Sequence, residues 1–217
     1  MRRKEKSSKK LEKISDRIRK YLTDKDAARE QCLKSCREII RLSSNAIRAT
    51  HRREDSETQN LINTAALLIK ELQEKLKPDH PDLLSANYVH DAYKEFAEAS
   101  ITSSIIFKGN LPDPEQLGIT YPAYLNGLAE SVGELRRYLL DSLRFNEFSQ
   151  AEELLNIMDN IYSILVTMDF PDGITYGLRR NTDVVRGIVE KTRGELTLII
   201  QNNLLQLKID SLNQKSA

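Results

Sequence analysis

Apolar residues recur at three- and four-residue spacing along this 217-residue chain, and no stretch alternates apolar with polar as a half-buried strand does. Eight glycines and six prolines leave long intervals without a breaker. Residues 11 to about 49 read as one helix, with Leu22, Leu33, Ile39, Ile40 and Leu42 among its apolar positions, and the polar segment 51–58 ends it. Leu61, Ala65, Leu68, Ile69, Leu72 and Leu76 mark a second helix, stopped at Pro78. Pro81 sits where a first-turn proline belongs, with Asp79 or His80 as cap, and opens a third helix that runs to about residue 107. The segment 109–118 holds Pro112 and Pro114 and has room for one short helical turn. Thr120 with Pro122 opens the next long helix. Ser149 and Glu152 have the spacing of a capping box ahead of the one after it. A turn at 170–173 precedes a last helix from about 176 to 212. The expected fold is all-α: a single-domain antiparallel helical bundle of about seven helices over residues 11–217, preceded by a basic, flexible tail at 1–10.

Charge adds little about partners, because 33 basic residues nearly cancel 32 acidic ones. Its distribution says more. The first ten residues carry Arg2, Arg3, Lys4, Lys6, Lys9 and Lys10 against Glu5 alone, a solvated terminus or an arm that meets phosphates. No apolar stretch follows it as a secretory signal requires, and no segment approaches the roughly 20 apolar residues that span a bilayer. A soluble protein without a membrane partner is expected. Cys32 and Cys36 stand one helical turn apart with no further thiolate or imidazole ligands at zinc spacing. They read as two reduced thiols in a core, which points to the cytoplasm.

Two pairs of glutamates carry the chemistry. Glu95 and Glu98 are three apart in the third helix, and Glu130 and Glu134 four apart in the fourth long one. At these spacings each pair projects from one helix face. Such pairs are common on solvated faces, since glutamate is a good helix former. Here, however, Glu98 is followed by the uncharged run 99–106, and Glu130 lies among Leu125, Gly127, Leu128, Ala129 and Val132. Both are inner-helix compositions. Carboxylates gathered inside a bundle repel one another and resist ionisation, and a bound metal removes that penalty. A di-iron centre needs Glu-x-x-His on facing helices. The three histidines follow Arg48, Lys77 and Asn87 at that spacing, so the di-iron reading fails. An all-oxygen ligand set suits Mg²⁺, with Mn²⁺ as the alternative.

A metal so held can activate water and offset charge on a phosphodiester. Cations for the phosphate are at hand: Lys94 precedes Glu95, and Arg136 and Arg137 follow Glu134. Arg179 and Arg180 stand at the start of the last helix, where the dipole also favours anions. His90, one turn before Lys94, is a further candidate, and Tyr93, Tyr121 and Tyr124 are candidate base-stacking rings.

In order and spacing these residues resemble the translin superfamily, and within it the translin-associated factor X (Trax) branch, from about residue 22 to the last helix. Asp26-Ala27-Ala28-Arg29-Glu30 with Arg37-Glu38-Ile39 is similar to its first-helix pattern. Tyr124-Leu125-Asn126-Gly127 with Gly133-Glu134-Leu135 resembles its fifth-helix motif, and Leu178-Arg179-Arg180-Asn181-Thr182-Asp183 the opening of its last helix. Trax-type subunits act as metal-dependent endoribonucleases on single-stranded RNA. They carry a Glu-x-x-Glu pair, matched by Glu95 and Glu98, and a Gly-Glu-Leu glutamate, matched by Glu134. Glu130 stands where that pattern has aspartate, one methylene longer. Translin-type subunits lack most of these acids and bind nucleic acid.

The resemblance implies a closed, hollow homo-oligomer of the prokaryotic or archaeal kind, usually of eight chains. On this reading the chain is a Mg²⁺-dependent endoribonuclease of single-stranded RNA, with DNA as a further ligand. Glu95, Glu98, Glu130 and Glu134 would serve as ligands or base, and His90, Lys94, Arg136, Arg137, Arg179 and Arg180 would hold the backbone. The alternative is a non-catalytic RNA- or DNA-binding assembly of the translin type.

Overall fold

The structure, a computed structural model, describes residues 2–215 and the side chains of residues 9–213. Its long helices are α1 (Arg2–His51), α2 (Asp55–Leu76), α3 (Asn87–Ile106), α5 (Tyr121–Arg144), α6 (Phe148–Leu165) and α8 (Leu178–Lys215). Single turns α4 (Pro114–Leu117) and α7 (Asp172–Thr175) interrupt the connections, and no strand occurs among the described residues. None of the described helices is long and apolar enough to cross a membrane. The all-α expectation holds. The helix of α1 takes in the basic first ten residues from Arg2; the side chains of Arg2, Arg3, Lys4 and Lys6 lie outside the described residues, while Lys9 and Lys10 are exposed.

Three boundaries differ from the sequence reading, each for a local reason. Pro81 opens a 3-10 turn (Pro81–Ser85) without a side-chain cap from His80. The chain then extends at Ala86, whose carbonyl accepts from Val89 and His90 to start α3 afresh. Ser149 is not a cap: α6 begins one residue earlier, with the Glu147 carbonyl accepting from the Ala151 N–H and the Glu147 side chain engaged by Arg53. The 170–173 turn continues into α7. Conversely, the short turn expected within 109–118 is α4, closed by a reciprocal capping box between Asp113 and Gln116 and ended by Gly118 at φ 66°.

The helices form two halves. Cys32, Cys36, Ile39, Leu42, Ile69, Leu72, Val89 and Phe96 fill a core between α1, α2 and α3, so the two thiols are packing groups as expected. Val132, Leu135, Leu139, Leu154, Met158, Leu165, Val185 and Val189 fill a second core between α5, α6 and α8. The seam is the packing of α3 on α5. Gly127 permits it: a Cβ there would stand 2.5 Å from the Ala97 Cβ and 2.7 Å from the Lys94 carbonyl oxygen. Any side chain would force the helices apart, which is a reason for the glycine despite its cost in a helix interior. Asn126 braces the same place, donating to the Thr175 carbonyl and accepting from the Asn181 side chain, and so ties the start of α8 to α5.

Candidate metal centre and nucleic-acid surface

The close crossing at Gly127 sets the Glu-x-x-Glu face of α3 against the acidic face of α5. One carboxylate oxygen each from Glu95, Glu98 and Glu130 lie within 4.8 Å of one another, all three side chains half-buried. This is the donor set a hard divalent cation takes, and no nitrogen or sulfur competes within it. Glu98 and Glu130 open on a cleft of about 250 Å³ whose other wall is Asn181, Val184 and Ile188 of α8. The cleft is therefore built from both halves of the bundle.

Ionisation follows surroundings. Burial first, then the charges of Glu95, Glu130 and Glu134, push Glu98 up to about 8. Glu95 is raised for the same leading reason, moderated by Lys94. A carboxyl that prefers its proton near neutral pH marks a place short of positive charge. Lys94 supplies some: its ammonium is 2.8 Å from Glu130 Oε1 and 3.8 Å from Glu95 Oε1. Burial alone would lower Lys94, but the Glu130 hydrogen bond and the Glu130, Glu95 and Asp91 charges outweigh it and hold the group above its ordinary value.

Glu134 differs from the expectation that all four acids converge. It lies outside the group of three and accepts a 2.5 Å hydrogen bond from Nε2 of His51, the last residue of α1, with Arg137 at 3.7 Å. The His51 bond, chiefly, holds it below the usual carboxylate range, so it is ionised and accepts only. The His51 side chain is only 7% exposed, with Nδ1 unpartnered. Nothing near residue 51 in the sequence announces this contact, which spans 83 positions; the only hint was a histidine at the end of a helix.

The basic candidates are spread over different tasks. Arg136 donates to Thr192 and pairs with Glu195 at 2.7 Å, so it fastens α5 to α8 and presents little free charge. His90 is buried flat against Tyr176, ring centroids 4.0 Å apart, and burial lowers its pKa, so it sits there as a neutral stacking ring. Arg137 is exposed beside Glu134. Arg179 and Arg180 are both exposed. Arg180, four before Val184, continues the α8 stripe that walls the acidic cleft, whereas Arg179 turns to a neighbouring cleft with Asp169 and Asp183. Of the tyrosines, Tyr93 is buried, Tyr124 donates to the Pro112 carbonyl, and Tyr121 is exposed.

No family model matches the chain. A curated but uncharacterised protein of Methanocaldococcus jannaschii is 33% identical over 184 residues, 84% of this chain and 81% of that one. Among solved structures, AfC3PO is similar with a TM-score of 0.76 at 31% identity, covering 87% of this chain and 98% of its own. AfC3PO in complex with duplex RNA gives 0.74 at 34% identity, covering 87% and 97%. Apo-NeC3PO gives 0.76 at 20% identity, covering 85% and 96%, a likeness of fold.

Proposed function

The chain belongs to the translin superfamily, to which the C3PO structures belong, and from that footing we propose that it is a metal-dependent endoribonuclease of single-stranded RNA. The observation that carries this reading is the meeting of Glu95, Glu98 and Glu130, oxygen to oxygen within 4.8 Å, on a cleft at the seam of the bundle. These three would hold Mg²⁺ or Mn²⁺. A hard cation bound there supplies a water of lowered pKa and neutralises charge on the phosphodiester.

The protein's own groups divide the remaining work. Glu134, the one of the four acids outside the group of three, would serve as general base at Oε1, with His51 orienting it through Oε2 at some cost in basicity, since that bond lowers its pKa. Arg180, one turn before Val184 of the cleft wall, and Arg137, beside Glu134, grip the RNA backbone, and Arg179 grips it from the neighbouring cleft. Arg136 holds the wall together. His90, buried against Tyr176, is not assigned to phosphate.

The α8 residues Leu198, Leu205, Leu207 and Leu212 are all more than half exposed, a surface that closure into a homo-oligomer would cover. Eight chains enclosing the RNA is the arrangement proposed from the family pattern. AfC3PO has been seen with duplex RNA, so duplex is the comparison substrate for this chain.

Lys94 favours a second reading. By pairing with Glu130 it neutralises part of the acidic cluster without any metal, which suits an assembly that binds RNA or DNA and does not cut. One assay separates the two. Cleavage of a single-stranded RNA with Mg²⁺, abolished by EDTA and reduced on the order of 10²–10³-fold in Glu98→Ala with fold and oligomer size intact, is expected. Salt-dependent binding without cleavage in Mg²⁺ or Mn²⁺ would overturn the nuclease reading in favour of the second.

A further inference from the structure

Lys94 occupies the electrostatic position that a divalent cation would take. Its ammonium bridges the two helices, 2.8 Å from Glu130 on α5 and 3.8 Å from Glu95 on α3, two of the three members of the cluster. The side chain is one-fifth exposed, and its backbone carbonyl lies at the Gly127 crossing, where no Cβ fits. Two cations cannot share these oxygens without repulsion, since a unit charge within about 4 Å acts strongly in a half-buried site. A divalent ion taking the Glu130 oxygen that Lys94 holds would displace the ammonium from it.

The released ammonium needs an anion. It is a flexible, three-donor point charge on the rim of the cluster, and the anion that arrives beside the metal in a nuclease is the phosphate of the substrate. We propose that Lys94 is a resident counter-ion that exchanges partners, leaving Glu130 for an RNA phosphate as the metal takes its place, so that metal and RNA bind with positive coupling. The proposal rests on the metal reading above and adds a role for a side chain on the metal-ligand helix. Linkage makes the coupling reciprocal: RNA tightens the metal by the factor with which the metal tightens RNA. It also reconciles the two functional readings, because without RNA the lysine offsets part of the cluster's charge and the metal is weakly held.

The test uses the full chain, Mn²⁺ as probe, and a hydrolysis-resistant phosphorothioate single strand, with binding followed by calorimetry and by the Mn²⁺ electron-spin signal. Without oligonucleotide, Lys94→Met should bind Mn²⁺ on the order of tenfold more tightly than the unaltered chain. Adding the oligonucleotide should tighten Mn²⁺ on the unaltered chain by a factor in the range of about 5–150, and on Lys94→Met by clearly less. Lys94→Arg keeps the charge and should behave like the unaltered chain. Lys94→Gln is read by the same criteria should the methionine variant not fold. Equal or weaker Mn²⁺ binding by the neutral variants, or an unchanged oligonucleotide effect, overturns the exchange while leaving the metal site standing. Absence of Mn²⁺ binding in every variant overturns the metal reading and the exchange together.

Discussion

Glu95 and Glu98 on α3 reach the same seam as Glu130 and Glu134 on α5, but in opposite electrostatic company. The α5 acids each have a close partner of positive or donating character, Lys94 for Glu130 and His51 for Glu134. On α3, Glu98 faces mainly other carboxylates and an apolar wall, and is pushed up to about 8. In sequence the two pairs look alike: small or apolar neighbours, helical spacing, no adjacent histidine. The difference arises because α1 ends beside α5, delivering His51, while α3 is sandwiched between α1 and α5 with only its own Lys94 nearby. A helix face can thus be read locally, whereas the charge state on that face is set by what packs over it.

The largest disturbance to this arrangement should come from Gly127→Ala, which strikes the crossing that both pairs depend on. Overpacking of this kind costs about 1–3 kcal/mol, and at this chain length each kcal/mol lowers Tm by roughly 2–4 °C. Thermal unfolding should show that fall, and Mn²⁺ titration a weaker site, because α3 and α5 must separate. A variant as stable as the original would refute the role given to the glycine.

His51→Phe comes next and tests the α5 side alone. It keeps the buried bulk and removes the Nε2 donor, so cleavage should fall about 10–100-fold, the usual scale for a positioning partner. Mn²⁺ binding at Glu95, Glu98 and Glu130 should be nearly unchanged. Loss of metal binding instead would move Glu134 into the ligand set.

The α3 side is tested by pH. Glu98 holds its proton to about pH 8 when folded, against an ordinary value of 4.5. Between those values the folded state binds more protons than the unfolded one, so metal-free stability falls as pH rises, and the loss is complete above about 8. Glu95 adds in the same sense; Glu134 and His90, both lowered, act in the opposite sense and at lower pH, His90 below its ordinary value of 6.5. Melting curves in EDTA between about pH 7 and pH 8.5, above the range in which His90 titrates, should therefore decline, and Glu98→Gln should flatten the decline. A Tm that climbs over this window in the original chain contradicts the account of the α3 acids.

The smallest effects belong to the exposed arginines. Neutralising one phosphate contact on a single strand changes the slope of log K against log salt by about 0.7. Arg180→Ala should show that change in RNA binding, and Arg179→Ala less, since Arg179 faces the cleft that also holds Asp169 and Asp183. Equal effects would mean that RNA runs along both clefts.

Much of this was legible beforehand because it depends on near neighbours in the chain. The i, i+3 and i, i+4 spacings placed Glu95 with Glu98 and Glu130 with Glu134, and the uncharged run after Glu98 marked α3 as an inner helix. Gly127 and Asn126 stood in a motif that carried the family resemblance, yet their physical purposes, a close helix crossing and a brace to α8, appear only in the packing. The arginines illustrate the converse. Arg136 and Arg137 are adjacent and chemically alike, but one is locked onto Thr192 and Glu195 and the other is free to meet a ligand. Nothing within several residues of either position distinguishes them.

The sequence by itself determined the all-helical class, the inner helices and the faces from which the carboxylates project, because helical periodicity and side-chain direction are local properties of the backbone. Which acids meet, which one takes a histidine, and that a lysine sits among them were decided by tertiary structure. Those outcomes depend on contacts between residues dozens of positions apart, and at such contacts burial and charge act through space, whatever the order of the chain.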